Sequence, residues 1–175
     1  IISKKLLQAQ MKELDFDFEI NNINKDLKDF SKLNNNKINL INVDYEFKKC
    51  FEKITNKSNK YINETFKTAL NFIKQNNLSK FINGPISKKS FLNGKTLGIT
   101  EYLASKTKKK EVAMLIFNKK LSVSPLTTHL ALKNVHKKIT KQKIYTQVNL
   151  INNFYKKEFN KLPRIAITGL NPHCE

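Results

Sequence analysis

The strongest constraint in the chain is a helical stripe between residues 59 and 77. Ile62, Phe66, Ala69, Leu70 and Ile73 recur at offsets of four, seven, eight and eleven, which places them on one face of a helix of about five turns. A stripe of this width has to be buried against another layer. It therefore reads as core rather than as a cofactor box. Two further helices are expected: Lys4 to Leu14, with Ser3 as N-cap and Leu6, Leu7, Met11 and Leu14 in register, and a segment opened by Thr140, carrying Ile144, Val148, Ile151 and Tyr155 and stopped by Pro163. Between the helices the apolar residues fall in short runs. Phe16, Phe18 and Ile20 alternate with Asp17 and Glu19, and Ile38, Leu40 and Val43 mark another short strand. Residues 80–83, 112–117, 121–126 and 165–168 also read as strands. The turn at Asn118-Lys119-Lys120 suits a hairpin, although a bent single strand also fits. Helices alternating with short apolar runs predict an α/β architecture with a mainly parallel sheet and an antiparallel portion.

A chain of 175 residues is long enough for one domain with a real core, or for part of a larger one. It begins at Ile1 and stops two residues after His173, from which an internal piece of a longer protein is expected. No apolar run approaches the ~20 residues that span a bilayer, so a soluble protein is expected. Cys50 and Cys174 form no CxxC motif and no disulfide framework, which favours a reducing, cytoplasmic setting. The formal charge of +19 raises nucleic acid as a partner. The composition argues against it: Arg164 is the single arginine among 33 basic residues, and the lysines are scattered beside an equally scattered excess of Asn. Nucleic-acid readers rely on the bidentate arginine fork.

Two of the short runs end in a loop bearing a histidine. His129 follows residues 121–126, and His173 follows residues 165–168. Ligands of open α/β sheets bind at the carboxyl ends of strands, so the two imidazoles can converge on one metal or acid/base site. The bland reading is that each is a loop histidine held by a hydrogen bond. His136, in a Lys-rich stretch, reads as a surface histidine. Cys174 is adjacent to His173, but neighbouring side chains on an extended segment point to opposite faces, so it does not read as a shared ligand.

Four loops carry a more specific pattern: Gly84-Pro85-Ile86-Ser87-Lys88, Gly98-Ile99-Thr100-Glu101, Thr127-Thr128-His129-Leu130 and Gly169-Leu170-Asn171-Pro172-His173. In this order and spacing they resemble the 4-hydroxythreonine-4-phosphate dehydrogenase family of vitamin B6 (pyridoxine) biosynthesis, whose strings are a GP-x-x-K loop, GHTE, TTH-x-x-L and GLNPHAGE. The resemblance covers roughly the second half of the chain. It implies the two-domain α/β fold of isocitrate and isopropylmalate dehydrogenases, with only the central part present and both ends missing. Residues 1–90 would belong to the first α/β domain, and 91–175 to a truncated second domain that binds metal and dimerises.

The resemblance also implies an activity. The family oxidises and decarboxylates 4-phosphooxy-L-threonine, a small phosphorylated hydroxy amino acid, with NAD and a divalent metal (Zn, Mg or Co). It works as a homodimer with the active site at the interface. Three histidines hold the metal; His129 and His173 match two of them, and the third would lie beyond Glu175, as would the NAD-binding segments. Thr100 matches a substrate-contacting threonine, with a helix N-cap beside Glu101 as its bland reading. Lys88 can attract a phosphate as a point charge or simply be solvated. Asn171 and Pro172 would shape the turn that presents His173. Two departures stand out: Ile99 occupies the place of a substrate-binding histidine, and Cys174-Glu175 replace Ala-Gly. Isoleucine makes no hydrogen bond. Dehydrogenases acting on threonate or erythronate 4-phosphate are therefore an alternative, and a non-catalytic or nucleic-acid-binding protein on the same fold is another.

Overall fold

The computed structural model describes residues 1–94, 96 and 98–169, which form two compact units divided between Asn93 and Gly94. In the first unit, helix α1 spans Lys4–Glu13, strand β1 Ile20–Asn22 and strand β2 Ile38–Leu40. Helix α2 covers Asn56–Gln75 and α3 Lys88–Leu92. The second unit holds α4, Ile99–Thr107, and α5, Lys141–Phe159. Helices and paired strands coexist, as an α/β protein requires, and no described helix is long and apolar enough to cross a membrane.

The start of α1 follows directly from its sequence. Ser3 Oγ accepts from the Leu6 amide at 3.3 Å, satisfying one of the orphan donors of the first turn. The Ser3 amide in turn donates to the Tyr61 hydroxyl at 2.8 Å, which ties the cap to α2. Beside it, β1 and β2 pair in parallel with Ile20 opposite Ile38 and Asn22 opposite Leu40. A parallel bridge between Ile2 and Asn42 extends this pairing. Parallel strands need cover on their faces. Leu40, 1% exposed, and Ile41 are buried accordingly.

Helix α2 is the expected stripe, three residues longer at its start than the apolar pattern marks. The Thr55 amide donates to Ser58 Oγ at 3.0 Å, which fixes the first turn. Phe66 and Ala69 are buried, and the Phe66 ring stacks on Phe91 of α3 at 5.8 Å and tilts against Phe81 at 5.8 Å. Asn59 Nδ2 donates to the Ser90 carbonyl at 2.9 Å, so the helix pair is locked by both packing and polar contact. Ile62 and Ile73 face a cavity of about 450 Å³ instead of solid core.

Helix α5 matches its predicted start, with Thr140 Oγ1 accepting from the Lys143 amide at 3.2 Å. It ends earlier than Pro163, because Asn160 adopts a left-handed conformation (φ 52°), a C-terminal device that Asn tolerates. The predicted strands fare differently. Residues 16–19, 80–83, 112–117, 121–126 and 165–168 are not strands in the described structure. At 112–126 there is one antiparallel bridge, Ile116 to Val123, closed over Asn118 in the manner of a hairpin. Leu121 is 75% exposed and Ile167 64% exposed, so neither run has the neighbouring strand that would bury it. A strand is defined by its partner, and an apolar run without one stays irregular. Helices α3 and α4 both begin inside the loop segments of the sequence, and α4 is capped by Gly98, two residues before Thr100, the cap that the bland reading offers.

The stacking of Phe66 between Phe81 and Phe91 yields a direct expectation. Phe66→Ala should lower the unfolding free energy by about 3–5 kcal/mol, the usual cost of emptying a buried aromatic site. Urea denaturation followed by circular dichroism measures it; a loss below about 1 kcal/mol would show that this cluster does not hold the first unit together.

Candidate functional site

The second unit brings together two of the loops singled out by sequence. Gly98 is the N-cap of α4, with extended backbone (φ −159°), and Ile99, Thr100 and Glu101 form the first turn. Thr100 is thus the second residue inside the helix and not its cap. Ile99 and Thr100 are both half-buried. Gly98 has no side chain to cap this end, so the positive end of the helix dipole faces whatever negative group lies at the cap.

The Glu101 side chain folds back over the cap. A methyl group placed on Gly98 would lie 2.7 Å from Glu101 Oε2 and 3.6 Å from His129 Nε2. The space left by the missing side chain is therefore shared by a carboxylate oxygen and an imidazole nitrogen. Glu101 Oε2 is buried and has no hydrogen-bond partner among the described residues. Thr96 Oγ1, two residues before the cap, is buried and unpartnered as well. An unsatisfied buried polar atom costs roughly 1–3 kcal/mol, so each of these oxygens calls for a partner.

His129 reaches this place from a loop that α5 holds. Gln147 Nε2 donates to Ser124 Oγ at 2.8 Å and to the Pro125 carbonyl at 3.0 Å, and the Tyr155 hydroxyl donates to Ser122 Oγ at 3.0 Å. Phe117 and Phe159 stack at 5.3 Å with rings 8° apart. These contacts fix the chain just before Thr127. His129 itself is exposed and left-handed, with φ 56°. Strained φ of this kind in a non-glycine residue persists where surrounding structure demands it, and clusters at functional sites. On α4, burial pushes the Tyr102 hydroxyl up from its ordinary range.

The other predicted residues stand as follows. Lys88 is the first residue of α3, in the first unit, and is exposed. His136 lies in a short 3-10 turn at the surface, as its Lys-rich setting predicts. His173, with Asn171, Pro172 and Cys174, lies outside the described residues. Among the described residues no group of three or more His, Cys, Asp and Glu side chains could by itself hold a metal. One ligand would fit all the same: the exposed His129 imidazole could serve a divalent cation that further residues complete, with the Glu101 carboxylate oxygen near the same point at Gly98. Sequence reading missed Glu101 as a site residue and Gln147 as a support. The Gly98-x-x-Glu101 spacing, which lets a third-position carboxylate reach back to an N-cap, was the available signal for the first.

The family model of the pyridoxal phosphate biosynthetic protein PdxA matches residues 1–175. Among curated relatives, the chain is 37% identical over 175 residues to a 4-hydroxythreonine-4-phosphate dehydrogenase of Sulfurihydrogenibium sp., a match that covers 98% of this chain and 53% of that protein. It is 34% identical over 121 residues to the enzyme of the same name from Neisseria meningitidis, covering 65% of the chain and 36% of the relative. It is also 34% identical over 77 residues to a D-threonate 4-phosphate dehydrogenase of Salmonella typhimurium, covering 44% of the chain and 24% of the relative. The chain thus spans about half the length of the first of these relatives.

The left-handed backbone at His129 can be tested without any ligand. Glycine enters that region freely, whereas an alanine there is strained by about 1–2 kcal/mol. His129→Gly should therefore be at least as stable as His129→Ala in thermal denaturation, despite glycine's greater entropy when unfolded. A glycine variant clearly less stable than the alanine variant would place residue 129 in an ordinary conformation.

Proposed function

The chain belongs to the pyridoxal phosphate biosynthetic protein PdxA family, and from that premise we propose that it carries the metal-binding and substrate-contacting part of a cytoplasmic dehydrogenase for a small phosphorylated hydroxy acid. The observation that carries this reading is the meeting of the 98–101 and 127–129 loops at Gly98, where His129 Nε2 approaches the first turn of α4. Residues far apart in sequence and matched to one family site are here neighbours.

The substrate proposed first is 4-phosphooxy-L-threonine. NAD, when bound, would supply the acceptor for the hydride of its secondary alcohol, and the β-keto acid left behind would lose carbon dioxide. A divalent cation held by His129 and His173 would lower the pKa of the reacting hydroxyl and polarise the carbonyl that forms from it. The chain's own residues supply binding and orientation. His129 offers a neutral imidazole nitrogen, the open N-terminus of α4 suits negative charge, and Thr100 in that turn contacts the substrate. Lys88 is the candidate point charge for the phosphate. Two copies of the protein, joined as a homodimer with the site at their interface, and an isocitrate dehydrogenase-like fold complete the proposal.

Ile99 favours a second reading. It stands where the family has a hydrogen-bonding histidine, so one polar contact is lost, and relatives named D-threonate 4-phosphate dehydrogenase are similar over 77 residues. A threonate or erythronate 4-phosphate is then the substrate of the same site.

Kinetics of the protein at the length of its relatives decide between these. With NAD and a divalent metal it should oxidise 4-phosphooxy-L-threonine, and His129→Ala should reduce kcat by more than about 100-fold, since even the outer partners of a metal ligand are worth 10–100-fold. Ile99→His should lower KM for 4-phosphooxy-L-threonine by about tenfold or more, the value of one hydrogen bond to a charged group. An unchanged KM together with faster turnover of D-threonate 4-phosphate would establish the second reading. Full activity in His129→Ala would contradict both.

A further inference from the structure

We propose that Glu101 is the positioning residue for His129: its buried carboxylate accepts a hydrogen bond from one ring N–H of that histidine, directly or through a single water, and so fixes which ring nitrogen offers its lone pair to a divalent cation. The inference deepens the proposed function and rests on its reading of His129 as a metal ligand.

Three independent observations lead to it. First, Oε2 of Glu101 is buried without a partner, on a chain whose 33 basic residues outnumber its 14 acidic ones. No lysine among the described residues is bonded to that oxygen, and neither is the nearby Thr96 hydroxyl, itself unpartnered. A carboxylate left bare amid so much positive charge is reserved for something else. Second, a ring nitrogen shares the gap at Gly98 with it: Oε2 and His129 Nε2 lie 2.7 and 3.6 Å from one point, the place a side chain on residue 98 would occupy. Only glycine leaves that path open. Third, His129 is exposed, so its ring is free to turn, while its left-handed backbone and the Gln147 contacts to Ser124 and Pro125 keep its Cα where the ring meets α4.

The physical consequence concerns the tautomer. A neutral imidazole carries its proton on one nitrogen and its lone pair on the other, and the hydrogen bond made by the first decides which nitrogen binds metal. A carboxylate acceptor strengthens that bond by charge assistance and raises the basicity of the ligating nitrogen. Thr100 and Ile99 lie beside it in the same helical turn. The turn that contacts substrate would therefore also orient the metal ligand, so the two functions share one rigid element.

The test uses the protein at the length of its relatives, labelled with nitrogen-15, with Glu101→Ala, which removes the carboxylate, and Gly98→Ala, which keeps it but fills the gap. In the unaltered chain the His129 ring N–H should exchange slowly with water and be visible as a proton–nitrogen correlation. It should vanish in both variants while the amide correlations of α5 stay in place, which shows that the unit remains folded. A ring N–H equally labile in all three proteins overturns the proposal. Zn²⁺ titration of the same proteins, with His129→Ala alongside, separates this inference from the reading beneath it. Glu101→Ala should weaken Zn²⁺ binding about 10–100-fold. If His129→Ala weakens binding and Glu101→Ala does not, the positioning role falls while the ligand role stands. If His129→Ala binds as tightly as the unaltered chain, the ligand role falls, and with it the proposal.

Discussion

The missing side chain at Gly98 is the constraint on which the site depends. Because nothing occupies the position of a β-carbon there, the Glu101 carboxylate folds back to within 2.7 Å of it and the His129 ring comes within 3.6 Å. The backbone at Gly98 is ordinary extended chain, so glycine is required for room and not for conformational freedom. The conformational demand falls instead on His129, whose left-handed φ a glycine would satisfy more easily. The site thus keeps its imidazole where the backbone would favour glycine and keeps glycine where any residue would suit the backbone.

Support for this arrangement is distributed over α5. Its apolar and amide side chains grip the segment from Phe117 to Pro125 through ring stacking and the two Gln147 bonds, so the loop that presents His129 hangs from a long helix. A loop built on a rigid element holds a ligand more precisely than one that is free. The first unit is organised by different means. There, a parallel strand pair, a capped helix and the Phe66 ring, stacked on Phe91 and tilted against Phe81, make a conventional small core.

Much of this was legible in the sequence where local rules govern. Ser3 and Thr140 are hydroxyl caps that act as such, and the stripe from Ile62 to Ile73 is the inner face of α2. His129 was singled out from the TTH string and stands at the shared site. What the sequence did not reveal depends on partners distant along the chain. Leu121 to Leu126 and Ile165 to Thr168 have the composition of strands, but pairing is a property of two segments, and among the described residues these find no ladder to join. Helix α4 was hidden because Gly98 is a weak cap and its first turn carries the β-branched pair Ile99-Thr100. Glu101 entered the sequence reading only as the neighbour of a possible Thr100 cap; that its oxygen is buried, unbonded among the described residues and near an imidazole depends on tertiary structure.

The central claim is that His129, set against the first turn of α4, is a ligand to a divalent cation. Crystals of the protein at family length, soaked in Zn²⁺ and measured at the zinc absorption edge, address it without recourse to activity. The account predicts an anomalous peak about 2.0–2.1 Å from a ring nitrogen of His129, with His173 as a second ligand and the Glu101 carboxylate bonded to the other nitrogen of the His129 ring. A zinc peak at the active site whose ligands exclude His129 would contradict it.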